Sequence, residues 1–353
     1  MTQRLAVAMS GGVDSAVAAY LLAQQGHALT GITLRMHTCA GAGEAEQAAH
    51  IARQLGFDHR SVDMTDRFRC QVMDDFAAAY ERGRTPNPCI RCNRHIKFGA
   101  LLELAGQLGC EGVATGHYAR IQRDEGTGRL LLKTALHPEK DQSYVLYMLT
   151  QAQLQASRFP LGGLSKAEIR EIAAQQGLIN AHKADSQDIC FIPDGDYAGF
   201  IRRHTGRDYP AGDFVDPAGR VLGRHEGIIA YTLGQRRGLG VSSADGRLYV
   251  TQIDPRSNTV TLSGGEGLFA RTVEADDINF IPFDRLNAPL RVRAKARYRQ
   301  QAQDAVVEQI AEDRIRVTFD APQRAMTPGQ AVVLYDGDTV VGGGTIDRVI
   351  KNP

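Results

Sequence analysis

The first third of the chain has apolar runs of strand length that alternate with longer stretches of helical periodicity. Residues 5–9 form an apolar run, and residues 16–23 combine strong helix formers with apolar positions at helical spacing. The order then repeats, which predicts strands at residues 29–36, 59–64 and 112–115 and helices at 44–55, 66–80 and 96–108. Strands that alternate with helices are typical of an α/β fold with a doubly wound parallel sheet.

Beyond this region the pattern of elements changes. A hairpin turn is predicted at residues 126–128, a helix at 140–149, and a second helix from the capping box at Ser165 to Gly177. After about Gly206, glycines, prolines and short alternating segments indicate a small central β-rich domain. Predicted strands at 291–298, 305–310, 314–319, 330–335 and 339–346 indicate a C-terminal β-barrel. We therefore expect three domains, at residues 1–204, 205–268 and 269–353.

Composition limits the class of protein. A chain of 353 residues is longer than one hydrophobic core usually covers, and its net charge of +1 argues against a uniformly basic nucleic-acid binder. The first apolar run is too short for a signal peptide, and no apolar run approaches the ~20 residues of a membrane span. We therefore expect a cytoplasmic protein. Its six cysteines are expected to be reduced thiols, available for chemistry or metal binding.

Ser10-Gly11-Gly12-Val13-Asp14-Ser15 lies where the first predicted strand passes into the first helix. The glycines allow close approach of a phosphate, and the helix start directs backbone N–H groups at an anion. No Gly-Lys-Ser/Thr follows, so this is not the lysine-bearing loop that holds a γ-phosphate. The stretch resembles the pyrophosphate loop (PP-loop) of the ATP pyrophosphatase superfamily, which implies that Asp14 lies near phosphate-bound Mg²⁺. An ordinary strand-to-helix turn is the alternative.

Other candidate residues lie at predicted strand ends, where parallel sheets bind their ligands. Leu34 ends the second strand and is placed either to contact an adenine or to pack in the core. Gly116 and His117 follow the strand at 112–115, and His117 is either a ligand contact or a hydrogen-bonded structural histidine.

Residues 84–99 contain Cys89 and Cys92 among three arginines, a histidine and a lysine. Two prolines that flank Asn87 predict a loop. Nearby cations are expected to lower the pKa of both thiols and make them reactive. The Cys-x-x-Cys pair could instead be half of a zinc site, which would be completed from a small set of residues. That set is Cys39, Cys70, Cys110 and His95.

Basic residues recur in two segments of the β-rich part. In residues 291–299 every odd position is basic, which on a strand would put five cations on one face. Such a face suits the phosphates of a nucleic acid, or it protects an exposed sheet edge. Gly234-Gln235-Arg236-Arg237-Gly238-Leu239-Gly240 is a second basic segment and is predicted to form a loop.

As a set and in this order, the motifs resemble those of the tRNA-specific 2-thiouridylase (MnmA, or TrmU) family. The motifs are the PP-loop, the Cys89/Cys92 segment, Gly116-His117-Tyr118, Lys140-Asp141-Gln142-Ser143-Tyr144 and Asp185-Ser186-Gln187-Asp188-Ile189-Cys190. The resemblance implies an enzyme that thiolates the 2-position of the wobble uridine in tRNAs for Lys, Glu and Gln. It implies ATP and Mg²⁺ as cofactors, AMP and pyrophosphate as products, and a persulfide donor such as a cysteine desulfurase or a sulfur-relay protein as partner.

The resemblance also implies roles for individual residues. ATP contacts are implied for Ala8, Met9, Ser10, Gly11, Gly12, Val13, Asp14, Ser15, Leu34 and Gly116. Cys92 is implied as the nucleophile and Cys190 as the carrier of persulfide sulfur. Contacts with tRNA are implied for Lys140, Asp141, Gln142, Arg297 and Tyr298. The chain departs from the family at Cys89, where some members have an aspartate that helps to hold the target base.

Thiolation requires two thiols within reach of one activated base. Either the persulfide of Cys190 attacks C2 and Cys92 then closes a Cys92–Cys190 disulfide, or Cys92 first releases hydrosulfide, which attacks C2. The sequence leaves both routes open, and both require Cα atoms that can approach within about 7 Å. Three alternative functions remain: a C–N ligase of the same superfamily, a tRNA sulfurtransferase for a different base, and a non-catalytic zinc-dependent RNA-binding module.

Overall fold

A computed structural model describes residues 2–37, 42–178, 189–243 and 246–351. The strands are β1 Arg4–Ala8, β2 Ala28–Arg35, β3 Asp58–Asp63, β4 Gly112–Ala114, β5 Ala119–Arg123, β6 Leu130–Thr134, β7 Ser157–Arg158, β8 Gly212–Val215, β9 Val221–His225, β10 Tyr249–Asp254, β11 Thr259–Ser263, β12 Phe269–Phe280, β13 Leu290–Lys295, β14 Gln303–Ala311, β15 Arg314–Arg324, β16 Ala331–Asp336 and β17 Thr339–Ile350. The α-helices are α1 Val13–Gln24, α2 Ala42–Gln54, α3 Thr65–Phe68, α4 Asp74–Glu81, α5 Pro88–Cys92, α6 Leu101–Gln107, α7 Gln151–Gln155, α8 Lys166–Gln175 and α9 Tyr197–Thr205. Over these described residues, no helix is long and apolar enough to cross a membrane.

The N-terminal part is built on a five-stranded parallel sheet in the order β3-β2-β1-β4-β7, which confirms the predicted α/β fold. Leu5 and Val7 of the central strand pack against α1 and α2 on one face, whereas Ala6 packs against α6 on the other. A strand covered on both faces has no polar side, which explains the uninterrupted apolar run. Because β1, β2 and β4 are parallel, their carboxyl ends meet at one edge of the sheet, beside the loop at residues 10–15.

The segment with the cysteine pair is helical where the sequence predicted a loop. The chain is irregular only as far as Asn87, whose side chain accepts a hydrogen bond from the backbone N of Cys89 at 3.1 Å. Pro88 occupies the first helical position, where its missing N–H costs nothing. Helix α5 then continues through a π-helical stretch, Asn93–Ala100, into α6. The two cysteines therefore lie at the second and fifth positions of a capped helix.

The prediction of a helix at residues 140–149 is also wrong. Only short 3₁₀ turns form there, at Pro138–Lys140 and Ser143–Val145. Distant side chains occupy the carbonyl groups that a helix would need: Asn93 donates to Val145 O at 2.9 Å, and Asn279 donates to Tyr147 O at 2.7 Å. Tertiary contacts therefore override the local helical pattern. In contrast, the capping box predicted at Ser165 is present and begins α8.

The C-terminal strands close into the predicted barrel, in the order β12-β15-β14-β13-β16-β17 with β17 paired back to β12. Strand β12 was not predicted from the sequence. The hairpin β5–β6, which precedes the barrel strands by more than 130 residues, pairs with β17 through Lys133 and Thr339. Lys133 and Arg120 of the hairpin both contact Asp338 at 2.8 Å. The hairpin thus fastens the barrel to the N-terminal part, and a separate four-stranded sheet, β10-β11-β8-β9, lies between them in the chain.

The predicted face of five free cations does not form. Strand β13 ends at Lys295, so the last two basic positions lie beyond it. Arg291 pairs with Asp320, and Arg293 lies 4.0 Å from Asp304. The alternation itself is confirmed, because the even-numbered residues 292, 294 and 296 are buried. These carboxylates therefore neutralise two of the five positive charges that the sequence pattern suggested.

Candidate active site

The loop at residues 10–15 has the backbone that its glycines predict. Gly11 has φ +68°, and a Cβ there would lie 2.7 Å from the carbonyl oxygen of Glu44, so the position excludes side chains both conformationally and sterically. Gly12 is the N-cap of α1 and brings no capping side chain. The positive end of α1 therefore faces the end of β1, as expected of an anion-binding turn.

The two serines of the loop hold it in shape. Ser15 Oγ donates to Gly12 O at 3.0 Å and accepts from the backbone N of Ser10 at 3.2 Å. Ser10 Oγ lies 3.4 Å from Ser15 Oγ. Since Ser15 is almost fully buried, these bonds are shielded from water. Ser10 is exposed and is the serine that can reach a ligand.

Asp14 is held by two residues that sequence reasoning did not connect with it. Its Oδ1 accepts from the hydroxyl of Tyr118 at 2.6 Å and lies 2.7 Å from Nζ of Lys166. Lys166 is the first residue of α8, directly after the capping serine that the sequence identifies only as a helix start. A lysine beside the PP-loop adds a positive charge where phosphate would bind. Nothing local in the sequence signals this contact, since 152 positions separate the two residues.

The loop forms one wall of a cleft of about 220 Å³. Of the residues implied to contact ATP, those that line it are Ala8, Met9, Ser10, Asp14, Ser15, Leu34 and Gly116. The remaining three, Gly11, Gly12 and Val13, lie within the loop. The lining is completed by Ile32, Met36, Lys97, Thr115, His117 and Gln142. Leu34 lines the cleft and also packs against the core, so the two interpretations of this residue are compatible. The apolar part at Leu34 and Ile32 suits a base, and the polar part at Ser10 suits phosphates.

Gly116 follows β4 in close contact with the PP-loop. A Cβ at this position would lie 3.0 Å from both the carbonyl carbon of Asp14 and the backbone N of Ser15. Because Gly116 has no side chain, the end of β4 can lie this close to the PP-loop. Next to it, His117 Nδ1 lies 2.7 Å from Thr115 Oγ1. Burial lowers the pKa of His117 well below its ordinary value, and the Lys97 charge lowers it further, so the ring is neutral.

The cysteines Cys89, Cys92 and Cys190 come together in one cluster, although about 100 positions separate the last from the others. Cys92 is buried, with Sγ 3.9 Å from Sδ of Met36, a residue of the cleft wall. Cys89 and Cys190 are exposed. The charge of either thiolate would raise the pKa of Cys92, so the three sulfurs lie within electrostatic range of one another. The clustering agrees with the requirement for two thiols near one base, whereas the approach of Cys92 and Cys190 to disulfide distance stays a prediction.

Burial, not neighbouring positive charge, decides the direction in which the pKa of these thiols shifts. Burial raises the pKa of Cys92 to about 12, and repulsion from the other thiolates adds to it. Although the Cys190 side chain is exposed at the surface, the protein packed around it reduces the hydration of the thiolate and raises the pKa of Cys190 to about 11, with Cys89 contributing. The expectation that nearby cations lower the thiol pKa is therefore wrong. The three arginines of the segment are taken up by carboxylates, in the pairs Arg84–Asp347, Arg91–Asp75 and Arg94–Asp277.

Lys97 is the cation of the segment that does face the thiols. It lines the cleft and opposes the rise in pKa of both Cys92 and Cys190. Among the residues described by the structure, it forms no ion pair with a carboxylate. One ammonium group therefore lies between the nucleotide cleft and the thiol cluster. The sequence showed this lysine only as one of five basic neighbours.

The two segments implied to contact tRNA meet beside this cluster. Gln142 lines the cleft and is bonded to Tyr118 in both directions, at 2.9 and 3.0 Å. The hydroxyl of Tyr298 donates to Asp141 O at 3.2 Å, which joins segments 157 positions apart. Tyr298 lies beyond the end of β13, so the alternation of side chains along that strand does not fix which way it points. The tRNA contacts themselves stay a prediction for all five residues.

Metal-binding alternatives find no support in the described part of the chain. Across residues 2–37, 42–178, 189–243 and 246–351, no group of three His, Cys, Asp or Glu side chains could hold a metal ion. Cys110 is buried under the sheet, and Cys70 is exposed on a π-helical turn. Cys39 and the motif positions 185–188 lie outside the described residues.

Comparisons with known proteins agree along the whole chain. Three family models match in succession: "tRNA methyl transferase HUP domain" over residues 3–194, "tRNA methyl transferase PRC-barrel domain" over 198–264 and "Aminomethyltransferase beta-barrel domain" over 270–346. The chain is 44% identical over 358 residues to the tRNA-specific 2-thiouridylase MnmA of Clostridioides difficile (strain 630), covering 99% of each. It is 46% identical over 363 residues to tRNA-specific 2-thiouridylase MnmA 2 of Thermoanaerobacter sp. (strain X514), covering 99% of this chain and 100% of that protein. A solved 4-thiouridine synthetase in complex with RNA and ATP is 17% identical with a TM-score of 0.37, over 58% of this chain and 50% of that one.

Proposed function

The chain belongs to the tRNA-specific 2-thiouridylase family, and from this premise we propose that it thiolates the 2-position of the wobble uridine in tRNAs for Lys, Glu and Gln. It is a tRNA sulfurtransferase built on an ATP-binding PP-loop domain. The observation that carries the detailed proposal is the thiol cluster that adjoins the PP-loop cleft through Met36 and Lys97. Since tRNA and ATP are its substrates, we place its work in the cytoplasm.

The cleft supports activation of the base by ATP. Oxide is too poor a leaving group to be displaced from C2 directly, so O2 of the uridine first attacks the α-phosphorus and pyrophosphate departs. The N-terminus of α1, Ser10 and Lys166 surround the place where the negative charge of pyrophosphate would develop. We assign Asp14, Leu34 and Gly116 to ATP with this loop, the leucine on the adenine side.

A magnesium ion fits the same loop. Asp14 is the only carboxylate among the described residues that line the cleft, and Mg²⁺ usually takes one or two carboxylates together with substrate phosphates. When bound, the ion would neutralise charge on the departing pyrophosphate. Lys166 pairs with Asp14 in this structure, so we expect its ammonium group to turn toward phosphate when the Asp14 carboxylate binds the metal instead.

Sulfur arrives on Cys190, which is exposed and therefore accessible to a persulfide donor such as a cysteine desulfurase or a sulfur-relay protein. In one route the terminal sulfur attacks C2 and AMP leaves; the Cys92 thiolate then attacks Sγ of Cys190, releasing the thiolated base. In the other, Cys92 attacks Sγ of Cys190 first, and the released hydrosulfide displaces AMP from C2. Both routes end in a Cys92–Cys190 disulfide, which a dithiol reductant must reopen.

Two alternatives are less well supported by the site. Two of the matching family models are named for a methyl transferase, and the superfamily also contains C–N ligases. Neither reaction requires a pair of thiols beside the nucleotide cleft. The thiol cluster favours sulfur transfer, in agreement with the names of the full-length relatives.

Mass analysis of nucleosides tests the proposal. Unmodified tRNA is incubated with the protein, Mg-ATP, a persulfide donor and a reductant, and 2-thiouridine at the wobble position is the expected product. The Cys190→Ser variant should release pyrophosphate and accumulate adenylated tRNA without forming thiolated product, since adenylation precedes the need for sulfur and AMP leaves only when sulfur attacks C2. A thiolated base at another position would instead support a sulfurtransferase of different specificity. Full thiolation by Cys190→Ser would refute the assigned chemistry.

A further inference from the structure

The glycine-rich loop at residues 234–240 presents two arginines on a fixed base. Gly234 N donates to Val250 O at 2.8 Å, and Val250 N donates to Gln235 O at 2.9 Å, so the loop is tied to β10. Leu239 on the far side of the loop is buried. Arg236 and Arg237 lie between these anchors and are both exposed. The loop therefore holds two guanidinium groups at a defined place on the surface.

This loop lies against the C-terminal barrel. The guanidinium of Arg297 donates to Leu233 O at 3.3 Å, to Ala325 O at 2.9 Å and to Thr327 Oγ1 at 2.8 Å. A Cβ on Gly234 would lie 3.0 Å from Cβ of Ala325, which shows how closely the two surfaces approach. Arg297 thus fastens the loop to the barrel, and its hydrogen-bonding groups are directed into the protein.

Two further arginines extend the surface of the loop on the barrel side. Arg324 is exposed and lies over the ring of Tyr249, 5.2 Å from its centroid, directly beside the strand residue to which the loop is tied. Arg299 is exposed and follows Tyr298, whose hydroxyl binds Asp141 next to the cleft. The arginines therefore run from the central sheet across the barrel toward the thiol cluster.

These four arginines differ from other exposed arginines of the same parts of the chain. Over the described residues, none of the four forms an ion pair, whereas Arg220 lies 2.6 Å from Asp216 and Arg224 lies 3.4 Å from Asp213. An arginine without a carboxylate partner offers its planar donors to an external anion, and phosphate is the anion it matches in bidentate geometry. Arg220 and Arg224 are thus already neutralised by carboxylates of the same chain, whereas the four arginines can still pair with an external anion.

We propose that Arg236, Arg237, Arg299 and Arg324 form a phosphate track that binds the tRNA backbone and directs the substrate to the cleft. The inference rests on the function proposed above and deepens it. A tRNA is favoured over an acidic protein because the track crosses two folded parts and leads to the place where the base must enter. The family resemblance implied a tRNA contact for Arg297, but its guanidinium is bonded to Leu233, Ala325 and Thr327, so in this arrangement we expect it to act as a positioning residue that holds the track together.

The test is the salt dependence of tRNA binding by the full-length protein. The double variant Arg236→Ala/Arg237→Ala should lower the slope of log K against log salt by about 1.8, or about 0.9 for each phosphate that is no longer bound. If both proteins bind equally near 1 M salt, that slope predicts an affinity loss of roughly 60-fold at about 0.1 M. The matched control is Arg220→Ala/Arg224→Ala, which removes two charges already paired with aspartates and should leave slope and affinity unchanged. Arg297→Ala should weaken binding without changing the slope.

Each of the other possible results of this experiment would refute either the phosphate track or the proposed function. An unchanged slope and affinity in the Arg236/Arg237 variant, while wild type still binds and thiolates tRNA, would refute the track and leave the proposed function intact. If the variant keeps its tRNA affinity and accepts inorganic sulfide but not sulfur from a protein persulfide, the surface binds the donor protein instead. Failure of the wild-type protein to bind tRNA at any salt concentration would refute the function and the track together. ATP binding, measured in parallel, reports whether each variant is folded.

Discussion

The ionisation of Cys92 is the feature of the site that can be tested most sharply. With a pKa of about 12, only about one molecule in 10⁴ carries the thiolate at pH 8, whereas about a quarter of an ordinary thiol with pKa ≈ 8.5 is ionised. Only the thiolate reacts with iodoacetamide. Alkylation of Cys92 in the free protein should therefore be about 2,000-fold slower at pH 8 than that of an unburied thiol. Its rate should rise tenfold per pH unit from about pH 7 to beyond about pH 10.

The pH slope separates ionisation from access, since burial of the side chain slows alkylation equally at every pH. Peptide mapping by mass spectrometry follows Cys92 separately from the exposed thiol of Cys70, which serves as an internal control. Lys97→Met should slow alkylation further, by about tenfold if the attraction of the ammonium group is worth one pKa unit, whereas Lys97→Arg should preserve the rate. A rate that levels off below about pH 9 would show that burial does not control this thiol, and a Lys97→Met rate equal to wild type would show that the ammonium group does not act on it.

Three further predictions concern the cleft and the thiols. Asp14→Ala should abolish AMP formation while tRNA binding persists, because the carboxylate serves the metal and phosphates; both are measured with radiolabelled ATP and a filter assay. Cys92→Ser, like Cys190→Ser, should yield no 2-thiouridine, whereas Cys89→Ser should retain substantial activity because its exposed thiol is only a neighbour of the pair. Gly116→Ala should raise the ATP dissociation constant by about tenfold or more, since its Cβ would press on the PP-loop at 3.0 Å.

The controls for these variants come from the same chain. Gly106→Ala places a methyl group in open space on α6, where alanine is also the better helix former, so it should leave ATP binding unchanged. AMP release by Asp14→Ala at the wild-type rate would remove this residue from the metal site. A dead Cys89→Ser beside an active Cys92→Ser would exchange the roles of the two cysteines. Wild-type ATP affinity in Gly116→Ala would mean that the loop adjusts without cost.

The sequence predicted correctly those parts of the site whose residues are close together in the chain. The PP-loop could be predicted because its glycines, helix start and preceding strand lie within a few residues, and the rule for parallel sheets then placed Leu34 and Gly116 at the same edge. The contact of Lys166 with Asp14 could not be predicted, because α8 docks there only in the folded chain. For the same reason, the arginines that neighbour Cys92 in the sequence led to a wrong prediction for the direction of its pKa shift. The arginines are neutralised by carboxylates from distant segments, and burial decides the sign of the pKa shift.

The high thiol pKa values also suggest how the order of steps is kept. An unloaded thiolate next to an adenylated base would attack C2 and form a dead-end adduct, but Cys190 and Cys92 stay protonated near neutral pH because burial raises the pKa of each. A persulfide is a stronger acid than the parent thiol, so loading sulfur on Cys190 supplies an ionised nucleophile where the bare thiol supplies almost none. Lys97, between cleft and cluster, stabilises that charge and the phosphate that departs. On this reasoning the site becomes reactive only when Cys190 carries persulfide sulfur. A base that is adenylated before sulfur arrives is therefore not attacked by an unloaded cysteine.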